Sequence, residues 1–146
     1  MKAVVVFDSN LGNTKIIAEA IAKELGREAK AIPVSGFNIK DLSEIELMIA
    51  GSPIIGWKPT EKMDAFLSDL SEGQLKGIKA TSFDTRVKLF IHGDAMNKIS
   101  EKLKSAGAEI IVKPQAFYVG GKETNLFAGE VEKASNWAKT IKSKFE

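Results

Sequence analysis

The chain has 146 residues, 44% of them apolar and 27% charged, with no cysteine and a formal net charge of +2. That is the size of one domain with a substantial core. The lack of cysteine excludes disulfides, thiolate metal sites, iron–sulfur clusters and thiol nucleophiles, and with them a phosphatase of the CX5R type. The small, scattered positive charge gives no reason to expect nucleic acid. No run approaches the ~20 apolar residues that span a bilayer, so no membrane is expected. Met1 and Lys2 lead straight into a strand pattern without a secretory leader, and a cytoplasmic protein is the expectation.

The first strand is an apolar run, Ala3–Phe7, of the kind buried on both faces. A polar turn over 9–14 follows, and a helix then places Ile17, Ile21 and Leu25 on one face with Ala20 beside them. Gly26 ends that helix. A second strand over 29–34 contains Pro33, which cannot donate to a ladder and so suits a sheet edge. Ser35 and Gly36 turn the chain into a short helical stretch over 39–42. The third strand covers 46–51, and its loop over 52–59 holds two prolines, one glycine and one tryptophan. Thr60 caps the next helix, whose buried face is Met63, Phe66, Leu67 and Leu70.

A fourth strand over 79–83 ends in a loop of Asp84, Thr85 and Arg86. A mixed segment over 87–92, then Gly93 and Asp94, precede a helix carrying Met96, Ile99, Leu103 and Ala106. Gly107 stops it in the C′ position. The fifth strand starts over 109–112, breaks at Lys113 and Pro114, and resumes over 116–119. A loop over 120–129 leads to the last helix, 130–145, with Val131, Ala134, Ala138, Ile141 and Phe145 toward the core. Strands and helices alternate without repeat or linker, so residues 1–146 form one α/β domain with a parallel sheet covered on both faces. Five strands permit the doubly wound order 2-1-3-4-5.

The turn after the first strand carries the clearest chemical signal. A strand, a short polar loop and a helix start gather unpaired backbone N–H groups and the positive end of a helix dipole, which suits a phosphate. The ATP or GTP loop GxxxxGK(S/T) is absent, and so is the dinucleotide pattern GxGxxG, because only one glycine is present. What remains is a hydroxyl at each end, Ser9 and Thr14, with main-chain donors of Asn10, Leu11, Gly12 and Asn13 between them. Uncharged donors fit a monoester dianion that stays bound, since phosphoryl transfer normally needs Mg²⁺ and cationic charge. The competing reading is a plain N-cap by Asn13 or Thr14.

These six residues, after a valine-rich strand, resemble the flavodoxin phosphate loop, S/T-x-S/T-G-x-T, with Leu11 in place of one hydroxyl. The resemblance extends through the segments from Gly93 to Glu109, Phe117 to Val119 and Gly129 to Glu132. It implies a flavodoxin-like fold with FMN at the switch point between the first and third strands, for which flavodoxin is itself the standing example. It also implies an electron carrier serving redox-partner proteins as donor and acceptor, ferredoxin-linked ones among them, as monomer or homodimer. Flavodoxins are typically acidic; this chain is mildly basic.

By the same resemblance, the loops after the third and fourth strands hold the flavin. An exposed loop has little use for Pro53, Ile54, Ile55, Gly56 and Trp57 unless something flat and apolar packs there, with Ile55 or Trp57 as the stacking residue. The other possibility is that Trp57 folds back as core. Gly56 permits a neighbouring peptide, Ile55–Gly56 or Gly56–Trp57, to flip at low cost when the flavin takes an electron. Phe83, Asp84, Thr85 and Arg86 are expected at the other side or the pyrimidine edge. Arg86 either raises the second reduction potential there or is a solvated partner of Asp84. His92 reads as a loop residue, since no nucleophile or carboxylate accompanies it.

Three functions are open to this constellation. The leading one is a carrier of single electrons. An FMN-dependent reductase of quinone or another small acceptor is the alternative, on fold analogy. A phosphorylated receiver domain fits poorly, because the third strand ends in Gly51, Ser52 and Pro53 rather than an acceptor aspartate.

Overall fold

The structure, a computed structural model, describes residues 1–89, 92–120 and 125–146. Its sheet contains β1 (Ala3–Phe7), β2 (Ala29–Pro33), β3 (Leu47–Pro53), β4 (Lys79–Val87), β5 (Glu109–Ile110), β6 (Gln115–Gly120) and β7 (Asn125–Leu126). The order is β2-β1-β3-β4-β6-β7, with β5 pairing to the start of β4. All pairings are parallel except that of β7 with β6. Helices α1 (Asn13–Leu25) and α4 (Glu130–Phe145) cover one face; α2 (Glu61–Ser68) and α3 (Met96–Ser105) cover the other. None of the helices among the described residues is long and apolar enough to cross a membrane.

Side chains alternate along each strand, so one strand feeds two cores. Ala3, Val5, Phe7, Leu47 and Ile49 pack toward α1 and α4, while Val4, Val6, Met48 and Ala50 pack toward α2 and α3. This is why β1 and β3 read as unbroken apolar runs. Pro33 lies on the edge strand, as its missing N–H requires. The fifth position is shared by β5 and β6. Between Ala80↔Ile110 and Phe83↔Gln115, three steps along β4 face five along its neighbour, and the interruption around Pro114 absorbs the excess.

Three expectations need correction. The fourth strand does not stop at Phe83; β4 continues through Asp84, Thr85 and Arg86 to Val87, because β3 and β6 flank it and its polar side chains find buried partners. The loop expected over 120–129 contains the short strand β7. Val131 lies on the expected stripe of α4 but in its first turn, past the packed part of the core, and stays 44% exposed. Trp137 takes the central place beside Ala134, Ala138 and Ile141. Residues 90–91 of the expected 87–92 segment, and 121–124 of the expected loop, lie outside the described residues.

Gly51 on β3 stands opposite Phe83, and a Cβ there would lie 2.1–2.5 Å from three ring atoms. The ring cannot swing away easily, since Phe117 and Trp137 hold it edge-on at centroid distances of 5.8 and 6.2 Å. Gly51→Ala should therefore cost about 1–3 kcal/mol of overpacking. Adding Phe83→Leu should return part of it, and urea denaturation of both variants is the check.

Helix α3 ends in a Schellman arrangement. Gly107, at φ 107°, donates to Lys104 O at 2.9 Å, and Ala108 donates to Leu103 O at 3.1 Å. Near that end, Lys102 Nζ donates to Asp64 of α2 at 2.9 Å. That hydrogen bond is the main cause holding the Asp64 carboxyl below its ordinary 3.8, against a smaller opposing effect of burial. The stabilisation is present above the ordinary value and lost as pH falls through the lowered one. Both groups are partly exposed, so about 0–1 kcal/mol is at stake. Lys102→Met should shrink the loss of stability between about pH 5 and 3 in denaturation curves.

Candidate functional site

At the end of β1, the Asp8 N–H donates to Gly51 O at 3.1 Å, and Asp8 Oδ1 accepts the Ser9 N–H at 3.0 Å. Ser9 Oγ in turn accepts the Gly12 N–H at 3.1 Å. Gly12 adopts φ 90° and is the N-cap of α1, with no side chain capping the helix. A helix start has N–H groups without intrahelical partners, and the dipole makes the spot attractive to an anion. Thr14 is buried, with its Oγ1 2.9 Å from Thr85 Oγ1. A hydroxyl donates once and accepts twice, so this pair still has one O–H to offer.

The loop after β3 is built as a hairpin turn. Ile55 N–H donates to Lys58 O at 2.8 Å and Lys58 N–H returns to Ile55 O at 3.4 Å. The central residues, Gly56 and Trp57, have φ 59° and 71°, the sign that a type I′ turn requires at both. Trp57 is the one non-glycine residue in that region among the described residues, and it is 60% exposed. Ser52 ties the loop's ends together, donating to Pro53 O at 2.8 Å and accepting from Thr60 N–H at 3.0 Å. Thr60 caps α2 as expected, accepting from Met63 N–H at 3.2 Å. Gly93 lets the turn sit close: a Cβ there would fall 2.3–2.5 Å from Trp57 backbone atoms.

Alternation along β4 sends its four expected site residues to two sides. Phe83 points into the aromatic core and Thr85 toward Thr14, whereas Asp84 and Arg86 point toward the start of α3. Asp84 is 0% exposed, and its carboxylate does two jobs. It accepts Nε of Arg86 at 2.8 Å, and it accepts the N–H groups of Ala95 and Met96 at 3.2 and 3.0 Å, capping a helix whose own N-cap residue, Ala95, has no side-chain acceptor. Arg86, 7% exposed, also reaches Asp94 at 3.3 Å and lies 3.1 Å from His92 Nδ1. Hydrogen bonding to Asp84 raises the guanidinium pKa above its already high ordinary value, so the cation is permanent. His92 Nδ1 also lies 2.7 Å from Gly93 O; one tautomer accepts from Arg86, the other donates to the carbonyl.

These pieces enclose one cleft of about 320 Å³ at the carboxyl end of the sheet, within the range of small-ligand sites. Of the residues expected from sequence, Asn10, Leu11, Asn13, Thr14, Pro53, Ile54, Ile55, Gly56, Trp57, Thr85 and Arg86 line it. Ser9, Gly12, Phe83 and Asp84 do not: Ser9 and Gly12 bond to each other, Asp84 holds Arg86 from behind, and the Phe83 ring lies in the core. Val87, His92, Gly93 and Val119 also line it and were not anticipated. Val119 could have been found from the split fifth strand, whose end pairs with Val87.

An anion-receiving helix start facing an exposed aromatic turn, at the switch point of a doubly wound sheet, defines a mononucleotide-binding α/β protein. The family model described as flavodoxin matches residues 5–137. The flavodoxin of Maridesulfovibrio salexigens is 31% identical over 122 residues, spanning 75% of this chain and 81% of that one. The flavodoxin of Clostridium beijerinckii is 28% identical over 117 residues, with coverages of 75% and 81%. In fold, the chain is similar to oxidised flavodoxin 2 from Bacillus cereus, with a TM-score of 0.82 at 24% identity over 99% of both chains. The chain belongs to the flavodoxin family. It is an FMN-binding electron-transfer flavoprotein.

Proposed function

We propose that the protein carries single electrons between redox-partner proteins, with FMN seated in the cleft between the 9–14 loop and the turn at Ile55 to Lys58. The observation that carries this is the convergence of an uncharged donor loop and an exposed apolar turn on one cavity. When bound, FMN supplies the redox chemistry, and the chain's own residues bind, orient and shield it.

Backbone N–H groups around Asn10 to Thr14 and the Thr14 hydroxyl hold the phosphate, aided by the start of α1. Ile55 and Trp57, 46% and 60% exposed, offer apolar cover for a planar ring. Thr85 and Arg86 line the opposite wall, where Arg86 brings fixed positive charge to the pyrimidine edge. Gly56 supports the second of the two peptide assignments. Rotating the Gly56–Trp57 peptide interconverts turn types I′ and II′, keeps Gly56 at positive φ, and releases Trp57 from the left-handed region. A carbonyl can thus turn toward the cleft without breaking the turn.

The experiment is a visible spectrum of purified protein followed by titration with FMN and riboflavin. FMN fluorescence should be quenched on binding. Riboflavin should bind at least ~100-fold more weakly, because each charge-assisted hydrogen bond to phosphate contributes about 1.5–3 kcal/mol. A colourless preparation that leaves FMN fluorescence intact would defeat the proposal. Stopped-flow mixing with NAD(P)H separates carrier from reductase: rapid flavin reduction would favour the enzyme.

A further inference from the structure

The exposed charges beside the cleft are mostly of one sign. Lys58 closes the turn, Lys88 follows the end of β4, and Lys98 on α3 reaches the Trp57 carbonyl at 3.4 Å; all three are exposed. Lys15, also exposed, is left out of the count, because a phosphate at the start of α1 would offset it. The neighbouring carboxylates are engaged or withdrawn. Asp84 is buried against Arg86, Asp94 binds Arg86 at 3.3 Å, and Asp64 is held by Lys102 at 2.9 Å. Asp8 is half-buried and accepts the Ser9 N–H. The exposed carboxylates left in these segments among the described residues are Glu61, the first residue of α2, and Glu101, one turn beyond Lys98 on α3.

Apolar surface is concentrated at the same place. Four of the nine large apolar side chains exposed among the described residues (Leu11, Ile55, Trp57 and Val87) line this mouth. An apolar centre inside a charged rim is the anatomy of a transient protein interface. A cationic rim steers an anionic surface toward it and repels a cationic one.

We propose that this mouth docks an acidic electron-transfer protein, one whose own redox centre is ringed by carboxylates. The inference rests on the carrier reading above and adds the sign of the partner's charge. It reverses the polarity expected of an acidic carrier, and it rests on the local charges at the mouth, because a bound phosphate ester offsets the chain's net charge of +2.

The test uses the FMN-loaded protein, photoreduced and mixed with two inorganic oxidants of opposite charge, ferricyanide and tris(phenanthroline)cobalt(III). Each takes one electron. The ferricyanide rate should fall by ~10-fold or more as ionic strength rises from about 10 to 200 mM, while the cobalt rate should rise or stay level. The surface variant Lys58→Glu/Lys98→Glu should invert both slopes, and its thermal unfolding should match wild type. A strongly acidic 2Fe–2S ferredoxin should bind in a salt-sensitive manner that this variant loses, and a basic c-type cytochrome should not bind. A cobalt rate that falls with salt, or slopes that the variant leaves unchanged, would overturn the inference while leaving the carrier reading intact. Failure to take up FMN is seen before any kinetics and strikes the carrier reading itself.

Discussion

Arg86→Ala should lower the unfolding free energy by about 3–5 kcal/mol, the cost of leaving a buried charge without its partner. The side chain lost is 7% exposed, and the carboxylate left behind, Asp84, is 0% exposed. Asp84 would keep the N–H groups of Ala95 and Met96 but lose the guanidinium that balances its charge. Adding Asp84→Asn should recover most of the loss, because an amide oxygen can still accept from the start of α3 without being ionised. Urea denaturation of the single and double variants decides the matter. A single-variant loss under about 1 kcal/mol would mean that the pair behaves as a solvated surface bridge. In the Arg86→Ala single variant, once FMN-loaded, the second reduction potential should also fall, since a cation that favours the anionic reduced ring has gone while the Asp84 carboxylate stays.

Gly93→Ala should leave the fold standing and weaken FMN binding by ~100-fold, or about 2.7 kcal/mol. The new Cβ would meet Trp57 Cα at 2.3 Å and its carbonyl atoms at 2.5 Å. These are backbone atoms, so no rotamer change relieves the contact; the turn itself must lift. Lifting it breaks the bond from Asp94 N–H to Trp57 O at 3.1 Å and opens the apolar wall. The sheet is untouched, because Trp57 and Gly93 both lie outside it. FMN titration by fluorescence, beside a thermal melt, measures the two halves of this expectation separately. Wild-type affinity would show that the turn does not need its present seat.

What could be read from the sequence followed burial and backbone chemistry. The apolar run of β1 announced a strand covered on two faces, and Gly107 announced the end of α3, because each feature is local and has one physical meaning. The cleft's loops were legible for the same reason: a polar turn with Gly12 before a helix, and a tryptophan beside Gly56 in a loop. The length of β4 was not. Asp84, Thr85 and Arg86 look like a turn until one knows that Arg86, Ala95, Met96 and Thr14 stand ready to satisfy them. Phe83, expected beside them, sends its ring into the aromatic cluster with Phe117 and Trp137, contacts that join distant parts of the chain. Gly93 gave no sign of its role, because close approach of one backbone to another leaves no mark on either sequence segment.

The reach of Asp84 from the central strand to the first turn of α3 has a spectroscopic consequence. The amide protons of Ala95 and Met96 are held by the same carboxylate that grips Arg86, whose far side faces the cleft. Their NMR shifts and their exchange with deuterium should therefore register events at the cofactor pocket, although neither residue lines it. Two backbone amides on a neighbouring helix become built-in probes of what occupies the cavity.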